Sequence, residues 1–173
     1  HGLRVARLKG GDPAVFGRLD DEVEACDAAG VSWEVVPGIT TASAAAASLG
    51  QSLTRRGRNK DVRFLTGHDV KGLAEQDWKA LAAPGAVAAI YMGKRAATFL
   101  RGRLMIHGAG EDTPVTVIEN VSRPDQRILP ARLIDLPDVV ADLAGPAILM
   151  LGLEPRRAAA AVPALTPRIK EAL

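Results

Sequence analysis

Residues 8–18 read Leu8-Lys9-Gly10-Gly11-Asp12-Pro13-Ala14-Val15-Phe16-Gly17-Arg18. Paired glycines admit positive φ and let a ligand come close to the backbone. A helix start just beyond them would offer free N–H groups. Asp12 at this spot repels phosphate and suits a ligand with positive charge, such as a sulfonium or an ammonium. The run is neither a G-x-G-x-x-G fingerprint nor a Walker loop, since no Gly-Lys-Ser/Thr follows. A second run, Val35-Val36-Pro37-Gly38-Ile39-Thr40-Thr41-Ala42-Ser43, again ends in a glycine turn and opens into hydroxyl residues. By residue type, Thr40 and Thr41 read first as helix caps and only second as ligand contacts.

A third feature is charge. Between residues 54 and 71 stand Arg55, Arg56, Arg58, Lys60, Arg63 and Lys71, against only Asp61 and Asp69. Guanidinium forks match carboxylates geometrically; an ordinary solvated face is the competing reading. His68 is by residue type a candidate acid/base group, but its place after a strand and a glycine suits a structural hydrogen bond. His107 suits a helix C-terminus. Three histidines and one cysteine give no metal-ligand spacing.

The elements that must position these residues follow from hydrophobic periodicity and turn residues. Strands are expected at 3–8, 33–36, 62–66, 87–92, 115–119, 127–133 and 147–151. Helices are expected from Pro13 to Gly30, with Asp12 as N-cap, and at 41–49, 74–83, 95–107 and 138–143. Residues 54–60 read as a linker, 123–125 as a turn, and the chain beyond Pro155 as a loose helix or partly disordered tail. The alternation predicts an α/β fold with at least partly parallel sheets. Both glycine runs then sit where a strand hands over to a helix, the usual ligand position in open α/β sheets.

With 47% hydrophobic, 24% charged and 3% aromatic residues in 173, the core must be aliphatic. A net charge of +2 announces neither a nucleic-acid nor a membrane partner. Six aromatics are too few for base-stacking platforms. Cys26 has no internal partner and reads as a small buried helix residue, which fits a reducing, cytoplasmic setting. No apolar run approaches the roughly 20 residues of a membrane span. The start lacks signal-peptide features and an initiator Met, so a fragment of a longer chain is expected.

The two glycine runs together resemble the tetrapyrrole methylase family, in its uroporphyrinogen-III C-methyltransferase branch. Further matches follow in order: Leu53-Thr54-Arg55-Arg56, Phe64-Leu65-Thr66-Gly67-His68, Tyr91-Met92-Gly93, Pro114-Val115, Glu119-Asn120, and Pro146-Ala147 through Gly152. The resemblance covers residues 3–152. It implies a two-lobed α/β fold, with 1–58 the remainder of an incomplete first lobe and 59–173 the second, working as a homodimer. It implies S-adenosyl-L-methionine as co-substrate, contacted by Gly10, Gly11, Asp12, Val15, Thr40 and Thr41. Met92, Val121 and Ala147 would enclose its adenosine. The implied reaction methylates uroporphyrinogen III at C2 and C7, giving precorrin-2 for siroheme or cobalamin. That carboxylate-rich substrate would be met by Arg55 and Arg56, with Arg18 a weaker candidate. The base that takes up the released proton is not identified. The family's Gly-Pro-Gly-Asp-Pro turn and its acid/base residues lie upstream of the motifs seen here, so the chain is expected to be inactive alone. Leu19-Asp20-Asp21, Ala14 and Arg55 depart from the family pattern. The alternatives are a methyltransferase of the same fold acting on a later precorrin, and a non-catalytic module for an anionic ligand.

Overall fold

A computed structural model describes residues 2–69 and 72–156; Lys71 and most of the expected tail lie outside these. In chain order the elements are α1 (Leu19–Ala28), α2 (Thr41–Ser48), β1 (Arg63–Thr66), β2 (His68–Asp69), β3 (Gly72–Leu73), α3 (Trp78–Leu81), β4 (Ala88–Tyr91), α4 (Ala97–Ile106), β5 (Pro114–Glu119), β6 (Arg127–Arg132), α5 (Leu136–Ala141) and β7 (Ala147–Leu151), with single 3-10 turns before α4 and α5.

The uninterrupted apolar run Ala-Ile-Leu-Met-Leu makes β7 a strand that can be buried on both faces. It takes the centre of a five-stranded sheet of order β1-β4-β7-β5-β6. β1 and β4 pair in parallel, whereas β7 runs antiparallel to both its neighbours. β4 and β5 therefore point the same way as β1. Their C-terminal ends share one edge with the N-terminal ends of β6 and β7. β6 carries Pro130, which cannot donate to a ladder, and it lies at the sheet margin where that is tolerated.

Side chains alternate across each strand, and the sheet has two buried faces. On one, Ala88, Ile90, Val115, Val117, Leu149 and Leu151 pack with Trp78, Leu100, Leu104, Leu136 and Val140 of the helices. On the other, Ala89, Ile118, Ile148 and Met150 pack with Ala42, Ala45 and Leu49. The alanine-rich α2 thus shares a core with β4, β5 and β7. Leu49 accepts a further tie from the backbone N–H of Arg156 at 3.0 Å.

Five of the expected strands, at 62–66, 87–92, 115–119, 127–133 and 147–151, are present within a residue or two. The expected strands at 3–8 and 33–36 are not: neither segment belongs to a ladder. Leu3, Val5, Leu8, Trp33 and Val36 are exposed. Alternation marks a segment that suits a sheet, but a strand exists only when a neighbour takes its hydrogen bonds. The first helix begins at Leu19 rather than Pro13, because Phe16 and Arg18 adopt positive φ of 53° and 55° and break any earlier turn. Cys26 is half-buried rather than fully buried. The helix expected at 74–83 is reduced to one turn, with the Asp77 carboxylate accepting from the Ala80 N–H at 3.1 Å. The helix expected at 138–143 starts earlier, at Leu136, where Pro137 fits the first turn.

Candidate functional site

The loop 10–18 is compact coil, and its own side chains hold it. Asp12 caps no helix; its carboxylate ties the loop together. One carboxylate oxygen accepts from the Ala14 N–H at 2.8 Å, the Asx-turn arrangement. The other accepts from the Gly38 N–H at 3.2 Å and so staples the first glycine run to the second. Arg18 is engaged by Asp21 through both a hydrogen bond and an ion pair. The Lys9 ammonium donates to the Gly17 carbonyl and pairs with Glu22 at 2.9 Å. Val15 is half-buried. A hollow of about 270 Å³ opens beside the loop, lined by Phe16, Arg18 and Asp21 among others.

Chiefly the Lys9 hydrogen bond, and secondarily the charges of Lys9 and Arg7, hold the Glu22 carboxyl below its ordinary 4.5. A depressed carboxylate contributes stability above its unfolded pKa, and loses it as pH falls through the folded value. Extra amide-exchange protection of residues 9–22 over that of Glu22→Gln is therefore expected at neutral pH, and it should vanish as the pH drops below about 4.5. A pH-independent difference would remove Glu22 from this role.

The two runs meet in van der Waals contact. Gly11 has φ +78°, and a Cβ there would lie 3.5 Å from Thr41 Oγ1. Gly38 is tighter still: a Cβ would fall 2.2 Å from the Gly11 carbonyl oxygen. Gly10, by contrast, has nothing within 4 Å of its Cβ direction and presents open backbone. Thr40 stands at the N-cap position of α2 without capping it. Its Oγ1 instead lies 2.5 Å from the Tyr91 hydroxyl, which also accepts from the Ala42 N–H at 3.0 Å. The Tyr91 ring packs against Phe16, with centroids 4.8 Å apart, and against Phe64 at 6.2 Å.

Tyr91 ends β4, and the next residue begins the sheet edge described above. Met92 adopts φ 53° and is 52% exposed, an uncommon backbone state for an unbranched apolar residue left in the open. Behind it, a Cβ on Gly67 would lie 2.7 Å from Gly93 Cα, so the ends of β1 and β4 close on each other. Two strands away, Asn120 and Ser122 also have positive φ and flank Val121. Glu119, 4% exposed, turns its carboxylate to the Gly145 N–H at 2.6 Å and to Arg127 at 3.3 Å. That bond pulls the 145–147 turn over the edge, and Lys94 fastens it from the other side by donating to the carbonyls of Leu143 and Gly145. Met92, Val121 and Ala147 thus line one edge of three neighbouring strands.

The basic segment is a loop ordered by its own hydrogen bonds. Asn59 accepts from the Arg55 N–H and from Arg58 Nε, and donates to the carbonyls of Leu53 and Asp61. Arg58 caps the carbonyls of Ser52 and Leu53; burial first, and Arg55 second, lowers its pKa. Arg63 pairs with Asp61 at 3.5 Å. The side chains of Arg55 and Arg56 remain exposed. His68 is half-buried, and its Nε2 has no hydrogen-bond partner among the described residues. His107 Nδ1 meets the Arg103 carbonyl at 2.7 Å, consistent with a helix-end role.

Sequence reasoning missed Tyr91, Glu119 and Asn59 as organising residues. Glu119 left a signal: a carboxylate closing the apolar run Val-Thr-Val-Ile must find internal partners. Among the described residues no group of His, Cys, Asp and Glu is arranged to hold a metal, and no helix is long and apolar enough to cross a membrane. A second hollow, of about 340 Å³, lies at the opposite sheet edge around Ala86, Pro114 and Gly152, away from these loops.

Known proteins resemble the chain along most of its length. It is 42% identical over 151 residues to siroheme synthase 3 of Aeromonas hydrophila, covering 87% of this chain and 32% of that protein. It is 46% identical over 154 residues to the siroheme synthase of Gluconacetobacter diazotrophicus, covering 87% and 33%. The chain thus spans about a third of the length of these curated relatives. A uroporphyrin-III C-methyltransferase of Thermus thermophilus, solved with S-adenosyl homocysteine, superposes with a TM-score of 0.70 at 32% identity, covering 84% of this chain and 64% of that one. A cobalt precorrin-4 methyltransferase superposes at 0.73 with 26% identity, covering 82% and 61%. The family described as Tetrapyrrole (Corrin/Porphyrin) Methylases matches residues 1–137. With that match added to paired glycine loops set against a sheet edge, the chain belongs to the tetrapyrrole methylase family.

Proposed function

We propose that this chain carries the cofactor-binding part of an S-adenosyl-L-methionine-dependent methyltransferase that converts uroporphyrinogen III to precorrin-2, methylating C2 and C7. The observation that carries this is the junction of the two glycine runs at Gly11, Gly38 and Thr41, stapled by Asp12 and held by Tyr91 next to the edge bearing Met92. The co-substrate, when bound, supplies a sulfonium methyl, so the protein's task is to position it.

The residues present fit such a group. Gly10 and Gly11 offer backbone without side chains to the amino-acid and ribose parts, alongside Val15, Thr40 and Thr41. Asp12 acts mainly by fixing these loops. The exposed Met92 side chain, with Val121 and Ala147, gives an apolar rest for an adenine ring. Alignment of methyl donor and pyrrole carbon is the main source of rate. Arg55 and Arg56 are free to meet substrate carboxylates, whereas Arg18, tied to Asp21, is the weaker contact. We divide the chain into lobes at 58/59, with Tyr91 as the joint. We place the full-length enzyme, a homodimer, in the cytoplasm, a reading supported by a lone cysteine with no internal partner.

Calorimetric titration with S-adenosylhomocysteine, with ATP as comparator, tests this reading. Binding of the former alone is expected, and Gly11→Trp should abolish it, since an indole at φ +78° would displace Thr41. Binding of ATP instead would overturn the assignment.

A further inference from the structure

Tyr91 is the sole tyrosine of the chain, and no cofactor or substrate contact has been assigned to it. Its hydroxyl joins residues about fifty positions upstream, Thr40 Oγ1 and the Ala42 N–H. Its ring touches Phe16 of the first glycine loop and Phe64 of β1. Its own backbone carbonyl accepts from the Gly67 N–H at 2.7 Å, and the next residue is the positive-φ Met92. One side chain thereby touches both glycine runs, while its backbone forms the root of the Met92 turn. These links add polar contacts to an apolar one: α2 and its end pack on the sheet through Ala42, Ala45 and Leu49.

We infer that Tyr91 is a positioning residue, which sets the start of α2, and with it Thr40 and Thr41, at a fixed height over the Met92 edge. This inference rests on the cofactor reading above. The ring supplies the lateral contact with Phe16 and Phe64. The hydroxyl fixes the axial position, because a shift of α2 by about an ångström takes both of its hydrogen bonds, now 2.5 and 3.0 Å, out of useful geometry. A ligand filling the space between Gly11 and Met92 would load this joint directly, so its binding is felt at Tyr91.

Tyr91→Phe keeps the ring and removes the hydroxyl. Amide exchange at residues 42–45 is expected to accelerate by about tenfold or more, since both part-buried hydrogen bonds of the hydroxyl are lost, while 148–151 keep their protection. Unchanged exchange at 42–45 would overturn the inference whether or not any cofactor binds. Thr40→Val, which keeps the β-branched shape, should show the same pattern in weaker form, and guards against misfolding of the first variant. In wild-type protein labelled with 3-fluorotyrosine, the single fluorine signal should shift on adding S-adenosylhomocysteine but not ATP. The affinity of Tyr91→Phe should fall about tenfold. Equal affinity in both proteins would overturn the positioning role. If the wild-type protein binds no S-adenosylhomocysteine, the cofactor reading fails, and the exchange data still decide what Tyr91 holds.

Discussion

Gly38→Ala is expected to weaken S-adenosylhomocysteine binding roughly a hundredfold. The added methyl would stand 2.2 Å from the Gly11 carbonyl oxygen and 3.0 Å from its carbon. Both are backbone atoms, so no rotamer change relieves the clash; one of the two runs has to move. Overpacking of this kind costs about 1–3 kcal/mol, and each 1.4 kcal/mol is about a factor of ten in affinity. The loop surface of 10–18 has little buried packing to resist, so it opens first and breaks the Asp12–Gly38 staple. Affinity should therefore fall much more than the melting temperature does. The control is Gly102→Ala within α4, where a Cβ meets nothing within 4 Å; it should leave binding unchanged. Wild-type affinity in Gly38→Ala would mean that the two runs do not act as one site.

Leu149→Ala is expected to have the largest effect on stability, about 2–5 kcal/mol by urea or thermal unfolding. Leu149 is 0% exposed in the central strand, paired to Ile90 on one side and Val117 on the other. It also lies directly under the Met92 turn: a Cβ on Gly93 would come 2.7 Å from Leu149 Cδ1. Truncation leaves a cavity in the sheet core, and it withdraws the floor beneath Gly93. Cofactor affinity should fall by a smaller factor than in Gly38→Ala, the reverse of that variant's balance. A loss below about 1 kcal/mol would show that the neighbouring helices collapse into the space.

The sheet was readable because its strands are locally decisive. Residues 147–151 are apolar without interruption, and 115–119 carry β-branched residues bounded by turns, so pattern and burial agree. Residues 3–8 carry the same kind of pattern and form no strand, because pairing is a property of the neighbour and not of the segment. Phe16 and Arg18 explain the late start of α1: nothing in their type announces positive φ, which is uncommon outside glycine and asparagine.

In the candidate site, the glycine runs were legible because glycine marks positive φ or close approach: Gly11 has φ +78° and Gly38 meets the Gly11 backbone, while Gly10 stands open. The hold that Asp12 has on its own loops was not legible. An aspartate next to turn N–H groups takes those first, and both its oxygens are used so. The basic loop divided by competition: Arg58 and Arg63 found internal acceptors, leaving Arg55 and Arg56 exposed. Tyr91 was hidden because its partners come from residues 16, 40, 42 and 64, and sequence spacing carries no trace of that convergence.

The place of β7 between β4 and β5 has a kinetic meaning. Of the five strands of this sheet it is the last to be synthesised, yet it joins the two halves. Until it inserts, β4 has only β1 as a partner and the Met92 turn has no floor. The glycine runs leave the ribosome before the sheet strands and must wait for a platform completed near residue 151. Such long-range closure slows folding and leaves apolar strand edges uncovered in the interval. Stalling or truncation ahead of β7 would therefore yield a nascent chain that depends on chaperones, with its binding loops made and nothing beneath them.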